Sequence, residues 1–270
     1  MTDIVQMIEE LVDANGMPKY AYNCREFNAE KDTVFYSGPY WDDKEIKAAV
    51  KAFLTGRWLV SGEHVAKFQW AFGHKFNVKH CHMVNSGSSA NLLMMSALKS
   101  KRGHNLPQGT KVLMPIAGFP TTLNPTLQVG FIPVFVDIEW DTLNFDLDKL
   151  EDSITPNTKA IFVSPVLGNP PNMDRLMEIA EKYNIKLVGD NCDSLGSKWK
   201  GKLLTDYYIA FSNSFYPAHH ISTGEGGMVC SNDKDFIRIA TSIAWWGRDC
   251  YCVGSNNLLA CGTCGNRFDK

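Results

Sequence analysis

Residues 160–190 read AIFVSPVLGNPPNMDRLMEIAEKYNIKLVGD. Two apolar runs, Ala160–Val166 and Lys186–Asp190, lack the polar alternation of a half-exposed strand, and a helix-length segment, Met173–Tyr183, separates them. A buried strand, a helix and a second buried strand are the repeating unit of a parallel sheet that is covered on both faces. This stretch therefore predicts an α/β architecture.

The same alternation continues on both sides of this stretch. Further strands are predicted at Val112–Ile116, Ile132–Ile138, Ile209–Phe215 and Gly227–Ser231. Helices are predicted at Ser89–Lys101 and Thr121–Val129 between strands, and at Asp43–Leu54 and Glu63–Phe76 before them. We therefore predict a three-layer sandwich, in which helices cover both faces of a mainly parallel central sheet.

The two ends of the chain differ from this central pattern. An amphipathic N-terminal helix is predicted because apolar residues recur at helical spacing, at Ile4, Met7, Ile8, Leu11 and Val12. Near the other end, a helical pattern at Asp233–Trp246 precedes a segment rich in Gly, Asn and Cys. The predicted organisation is a helical arm at 1–40, a large domain at 41–232, and a helix with a cysteine-rich segment at 233–270.

The composition is that of an ordinary globular protein. Hydrophobic residues make up 44% and charged residues 21% of the 270 positions, which is too apolar for a disordered chain. The formal net charge is −2, and no run of Lys and Arg forms the basic patch that nucleic acids or anionic membranes attract. No apolar window approaches the ~18 residues of a membrane span, and the first residues are acidic, unlike a secretion signal. We expect a cytoplasmic protein without nucleic-acid or membrane partners.

Eight cysteines are many for a chain without a secretion signal. Cys24, Cys81 and Cys230 stand singly, as small buried apolar residues commonly do. Four others lie close together near the end of the chain, at Cys250, Cys252, Cys261 and Cys264. That group suggests a metal site, and four thiolates suit either zinc or an iron-sulfur cluster.

Three polar segments stand where predicted strands and helices meet. Asn85–Ser89 adjoins a helix N-terminus, which favours an anion such as phosphate, although such residues also serve as plain helix caps. Gly189–Asp193 follows a buried strand, where Asp190 can pair with a protonated ring nitrogen or simply cap a helix. Ser212–Gly227 combines hydroxyls, a glycine turn and two adjacent histidines, either of which is also compatible with a structural role.

These segments, in this order, resemble the nucleotide-sugar aminotransferases of the DegT/DnrJ/StrS type, which are fold-type I pyridoxal-phosphate enzymes. The resemblance rests on Gly87–Ser89, Gly168–Asp174, Asp190 and Ser214–Gly227. It implies that Asp190 pairs with the coenzyme pyridinium, that Phe119 stacks on its ring, and that two copies form a homodimer. The implied phosphate ligands are Gly87, Ser88, Ser89 and Ser214.

One departure from the family pattern changes the expected chemistry. The family has a lysine, which binds the coenzyme covalently, at the position of His219. An imidazole forms no stable imine but acts as a base near neutral pH, so ordinary transamination is not expected. The segments Phe215–His220 and Asp190–Asp193 resemble instead the iron-sulfur 3-dehydrases of this family, which act on a CDP-4-keto-6-deoxyhexose in dideoxysugar and lipopolysaccharide biosynthesis.

That resemblance implies a non-covalently bound pyridoxamine phosphate, with His219 as the base, and a 2Fe-2S cluster supplied with electrons by a flavin and iron-sulfur reductase. The implied cluster ligands are Cys192, Cys250, Cys252 and Cys264. The branch has a shorter gap before its fourth cysteine, which leaves Cys261 as an alternative. The local sequence Thr263–Phe268 favours Cys264.

Other functions remain open on the sequence alone. One alternative is a cluster-free 3-dehydrase that acts on a GDP-sugar, and the cysteine quartet argues against it. A second is an ordinary sugar aminotransferase, and His219 argues against it. A non-catalytic, zinc-binding relative disagrees with the retained coenzyme contacts. Members of the family continue into a smaller C-terminal domain, so the resemblance implies that this chain is a fragment without part of the sugar site.

Overall fold

A seven-stranded mixed sheet lies at the centre of the computed structural model, which describes residues 2–15, 27–34, 37–56 and 62–247. The strands of this sheet are β1 (His80–Val84), β2 (Lys111–Pro115), β3 (Ile132–Val136), β4 (Thr158–Val163), β5 (Lys186–Asp190), β8 (Ala210–Ser214) and β9 (Gly227–Ser231). Two short strands, β6 (Lys198–Trp199) and β7 (Lys202–Leu203), form a separate hairpin.

The described ranges contain eight α-helices. They are α1 (Thr2–Asn15), α2 (Asp43–Thr55), α3 (Glu63–Lys75), α4 (Gly87–Lys99), α5 (Pro120–Gln128), α6 (Leu147–Asp152), α7 (Met173–Lys182) and α8 (Lys234–Ala244). None of them combines the length and the apolar character that crossing a membrane requires.

The order of the strands across the sheet is β1-β9-β8-β5-β4-β2-β3. From β8 to β3 every neighbouring pair is parallel, whereas β9 runs antiparallel to both β8 and β1. The prediction of a mainly parallel sheet between helices is therefore confirmed. Parallel order brings the carboxyl ends of β5 and β8 to one edge, where the loops that follow them meet.

Apolar side chains fill both faces of the sheet, as the uninterrupted apolar runs predict. Along β2, Leu113 packs into a core with Leu176 of α7, while its neighbour Val112 packs on the opposite face with Met94 of α4. Successive strand residues point to opposite faces, so strands that are covered on both faces, such as β2, β4 and β5, are mostly apolar. This is why the strands lack polar alternation.

The ends of several predicted elements are wrong by a few residues. The strand predicted at Ala160–Val166 ends at Val163, because Pro165 fixes its backbone angle and a 3-10 turn follows at Val166–Gly168. The strand predicted at Ile132–Ile138 ends at Val136, and Ile138 forms only an isolated bridge. The helix predicted at Ser89–Lys101 begins earlier, at Gly87, because Ser86 is its N-cap.

Strand β1 of the central sheet, like the short helix α6, is missing from the predicted elements. Its sequence, HCHMV, carries two histidines and has no apolar run. It lies at the edge of the sheet, where β9 is its one neighbour among the described strands. Its strand conformation therefore depends on pairing with a segment almost 150 residues away in the chain. The predicted 1–40, 41–232 and 233–270 organisation stays a prediction; α8, which begins the last part, packs against α4 and β9.

Candidate active site

The N-terminus of α4 forms one side of the candidate site. Ser86 is extended, and its Oγ accepts a hydrogen bond from the Ser89 backbone N–H at 3.1 Å. Gly87, Ser88 and Ser89 therefore lie in the first helical turn, where backbone N–H groups have no partner within the helix. Such a turn attracts anions through its free N–H groups and the helix dipole.

Gly87 and Gly227 let neighbouring chain segments approach closely at this turn. A Cβ atom on Gly87 would lie 2.6 Å from the Cβ of Ser214 and 3.0 Å from the Sγ of Cys192. A Cβ on Gly227 would lie 2.2 Å from the Ser86 carbonyl oxygen. The α4 turn, the end of β8 and the loop after β5 are thus in direct contact.

A buried carboxylate lies beneath this turn. Asp190 is 5% exposed, and its Oδ2 accepts hydrogen bonds from Asn91 Nδ2 at 2.9 Å and from Thr122 Oγ1 at 2.7 Å. Its Oδ1 accepts a long hydrogen bond, 3.3 Å, from the Cys192 backbone N–H. Oδ1 therefore retains the capacity to accept a further hydrogen bond from a cationic N–H group.

Helix α5 links the anion-binding turn to the buried carboxylate. Ser88 Oγ donates to Thr121 Oγ1 at 3.0 Å, and Asn91 Nδ2 also donates to the Thr121 carbonyl at 3.0 Å. Phe119 is the N-cap residue of α5, and 67% of its surface is exposed. An aromatic ring thus stands at the start of the helix that holds Asp190.

The turn after β8 brings in an imidazole paired with a carboxylate. His219 Nδ1 lies 3.3 Å from Asp193 Oδ1, and the His219 side chain is 20% exposed. The hydrogen bond with His219 lowers the pKa of Asp193, so that carboxyl stays ionised down to acidic pH. A carboxylate at Nδ1 orients the ring and leaves Nε2 as the atom free to exchange a proton.

Cys192 is the one predicted cluster ligand within the described ranges. Burial raises the pKa of its thiol well above the ordinary value, and the negative charge of Asp190 raises it further. Cys250, Cys252, Cys261 and Cys264 lie outside the described residues. Within 2–15, 27–34, 37–56 and 62–247, no three His, Cys, Asp or Glu side chains are grouped as metal ligands.

Two lysines of the β6–β7 hairpin have partners in other parts of the fold. Lys198, Lys200 and Lys202 lie on or between the strands of the β6–β7 hairpin. Lys200 pairs with Asp174 of α7, and the Lys202 ammonium lies 4.2 Å from the centre of the Tyr207 ring. Neither contact directs a primary amine toward His219.

The structure places the predicted residues Gly87, Ser88, Ser89, Asp190, Cys192 and Ser214 around one edge of the sheet, with Phe119 and His219 on the adjoining helix and turn. Sequence reasoning missed Asn91 and Thr122, which hold Asp190, and assigned no role to Asp193 or to the close approach of Gly227. One signal was available, since Asn91 is a polar residue inside the apolar helix sequence of α4.

These residues fit a pyridoxal or pyridoxamine phosphate. The glycine-lined turn matches a phosphate, the acceptor on Asp190 matches a protonated pyridine nitrogen, and Phe119 presents an exposed ring face. The fold matches that of solved structures of pyridoxal-phosphate-dependent sugar aminotransferases and dehydratases.

The chain belongs to the DegT/DnrJ/EryC1/StrS aminotransferase family, whose model matches residues 41–258. It is 42% identical over 246 residues to a dTDP-4-dehydro-2,6-dideoxy-D-glucose 3-dehydratase of Saccharopolyspora spinosa, covering 90% of this chain and 52% of that protein. It is 41% identical over 253 residues to the lipopolysaccharide biosynthesis protein RfbH of Salmonella typhimurium, covering 93% and 56%.

A solved structure shows the same fold. The Escherichia coli GDP-4-keto-6-deoxy-D-mannose-3-dehydratase with bound hydrated pyridoxal phosphate superimposes with a TM-score of 0.73 at 34% identity, over 78% of this chain and 55% of that one. The chain thus spans about half the length of the curated relatives it matches.

Proposed function

We propose that this chain carries the coenzyme site of a nucleotide-sugar 3-dehydratase that uses pyridoxamine phosphate and a 2Fe-2S cluster. The observation that carries the proposal is the pair of His219 and Asp193, beside an anion-binding turn and a buried carboxylate. An imidazole at the position of the family's lysine is compatible with proton transfer and incompatible with a covalent imine. The names of the relatives, two of which are 3-dehydratases, support the same reaction class.

Each residue of the site has a definite task in this proposal. The first turn of α4, with Ser88, Ser89 and Ser214, binds the coenzyme phosphate. Asp190 pairs with the pyridine nitrogen, and Phe119 covers one face of the ring. When bound, pyridoxamine phosphate supplies an electron sink through which the 3-hydroxyl of a 4-keto sugar leaves.

His219 is the proposed base. Asp193 holds its Nδ1, so Nε2 takes the proton from carbon 4′ of the coenzyme. Because Asp193 stays ionised, it also stabilises the imidazolium that results. Both residues lie on short turns directly after strand ends, which restricts their positions relative to Asp190 and Ser214.

The electrons that complete a reductive 3-deoxygenation are proposed to enter through a 2Fe-2S cluster. Its proposed ligands are Cys192, Cys250, Cys252 and Cys264. Cys192 lies against Gly87 at the start of α4, so a cluster on its thiolate would adjoin the coenzyme site. We further propose a CDP-4-keto-6-deoxyhexose as substrate, a flavin and iron-sulfur reductase as electron donor, and a homodimer as the assembly.

Metal analysis tests this function most directly. After anaerobic purification and reconstitution, the chain is expected to be brown and to hold about two iron and two sulfide per chain. Cys192→Ser and Cys264→Ser are expected to lose the cluster spectrum, whereas Cys261→Ser keeps it. Zinc without iron would contradict the redox function, and a metal-free chain that binds the coenzyme would favour the cluster-free 3-dehydratase.

A second measurement separates the proposal from an ordinary aminotransferase. Borohydride reduction of the chain with pyridoxal phosphate is expected to leave no stable pyridoxyl-lysine, because position 219 offers no primary amine. Peptide mapping by mass spectrometry checks this. A labelled lysine peptide would overturn the proposed mode of coenzyme binding.

A further inference from the structure

Two cysteines outside the candidate active site are in contact across the edge of the sheet. Cys81 of β1 and Cys230 of β9 are directly opposite each other in the antiparallel register, and their sulfur atoms are 3.6 Å apart. Cys230 is fully buried, whereas Cys81 is partly exposed. Cys81, although it packs against the core, is thus the member of the pair that retains some contact with solvent.

The position of the pair within the ladder suits a disulfide. The Met83 backbone N–H donates to the Gln69 side chain at 2.7 Å and therefore points away from β9. Met83 and Met228 thus form a pair without mutual backbone hydrogen bonds, and Cys81 and Cys230, two residues along each strand, form a pair of the same kind. In such pairs the Cα atoms are about 4.5 Å apart, which lies inside the range of disulfides, roughly 4.4–6.8 Å.

We propose that Cys81 and Cys230 form a modification site, at which a low-molecular-weight disulfide such as oxidised glutathione generates a cross-strand disulfide bond. The Cys81 thiolate attacks the reagent, forming a mixed disulfide and releasing one small thiol. Cys230 then attacks the Cys81 sulfur and expels the second small thiol. The protein loses two electrons and two protons, and both appear in the two small thiols.

Bond formation is expected to disturb the anion-binding turn. The sulfurs must approach from 3.6 Å to about 2 Å, and the Cα spacing of about 4.5 Å lies at the short end of the disulfide range, so the bond favours a wider spacing of β1 and β9. Three residues beyond Cys81, Val84 pairs with Gly227, which packs against the Ser86 carbonyl without room for a Cβ. This consequence rests on the proposed function of that turn: the oxidised chain is expected to bind the coenzyme less tightly, on the order of tenfold.

Thiol mapping tests the bond itself, independently of the function. The reduced 270-residue chain is treated with oxidised glutathione, alkylated and mapped by non-reducing mass spectrometry. A linked pair of peptides containing Cys81 and Cys230, reversed by dithiothreitol, is expected in the wild type and in Cys192→Ser, and is lost in Cys81→Ser. Glutathione on Cys81 without the link, or Cys81 linked to another cysteine, would overturn the proposal.

Spectroscopic titration with pyridoxal phosphate tests the consequence. Reduced and oxidised wild type are expected to differ in affinity, while Cys81→Ser is insensitive to the oxidant. Equal affinities, or an equal loss in Cys81→Ser, would overturn the coupling. If the reduced chain fails to bind the coenzyme, the proposed function is wrong, and the thiol map alone decides the modification site.

Discussion

His219 is the residue on which the proposed chemistry depends most. Removing a base that acts directly on the reacting proton costs about two to four powers of ten in rate. His219→Asn is therefore expected to bind pyridoxamine phosphate normally but to lose solvent exchange at carbon 4′ of the coenzyme in the presence of a sugar substrate. Nuclear magnetic resonance of the chain with coenzyme and a sugar substrate measures the exchange.

His220 is the matched control for this prediction. It is the adjacent imidazole, and it lacks the 3.3 Å contact that joins His219 to Asp193 among the ion pairs of the described residues. His220→Asn should keep the exchange. The reverse result, with exchange lost in His220→Asn and retained in His219→Asn, would show that His220 is the base and would contradict the proposal.

Asp193 is expected to matter for orientation more than for stability. Because its pKa is lowered in the fold, its contribution to stability is present above its ordinary pKa of 3.8 and is lost as the pH falls through the lowered value. The side chain is 56% exposed, so solvent screening limits that contribution to below about 1 kcal/mol. Urea unfolding of Asp193→Asn at pH 7 should therefore resemble wild type, while the exchange rate at carbon 4′ falls and its pH profile shifts. A large loss of stability with unchanged exchange would show a structural role instead.

Sequence reasoning reached the acidic and basic groups of the site but not what holds them. Asp190 is predictable because it ends a buried strand, and His219 because it lies in the segment after another. The hydrogen-bond partners of Asp190 are 99 and 68 residues away in the chain, at Asn91 and Thr122. Those contacts depend on how α4 and α5 pack on the sheet, and the local sequence pattern does not predict that packing.

At the scale of elements, the parallel strands were predictable and the antiparallel edge was not. Strands β2, β4 and β5 are buried on both faces, so their uninterrupted apolar runs predict them from the sequence. Strand β1 has a mixed sequence and gains its place through pairing with β9. The omission matters for the site, because β1 leads directly into the turn that begins α4.

The contact between α4 and β8 makes Gly87 sensitive to substitution. In Gly87→Ala the new Cβ would lie 2.6 Å from the Cβ of Ser214, so backbone must shift at the anion-binding turn. Overpacking of this kind costs about 1–3 kcal/mol, and the coenzyme phosphate should bind more weakly. Thermal unfolding with and without pyridoxal phosphate measures both effects. Gly118→Ala is the control, because its Cβ would have no atom within 4 Å; equal effects in the two variants would contradict the argument.

At the scale of the whole molecule, the central sheet assembles the site from residues of several distant segments. Its groups come from residues 86 to 227, and they meet because parallel strands deliver their carboxyl ends to one edge. The segment that decides the fold, 160–190, supplies only one of them, Asp190. A coenzyme bound there would consequently stabilise the folded sheet as a unit, since it binds no single element alone.

The acid sensitivity of the whole fold should depend on one histidine at the edge of the sheet. Burial lowers the pKa of His82 in β1 from 6.5 to about 4, so the fold favours its neutral form. Between pH 6.5 and 4 the unfolded chain binds a proton that the folded chain does not, and the free energy of unfolding therefore decreases as the pH falls through that window. The difference corresponds to at most about 3 kcal/mol.

Urea unfolding at several pH values should show this slope in wild type and a shallower slope in His82→Gln. His64→Gln, at an exposed position of α3, is the control and should keep the wild-type slope. An unchanged slope in His82→Gln would show that other groups, such as the half-buried His104 with its lowered pKa, carry the acid sensitivity.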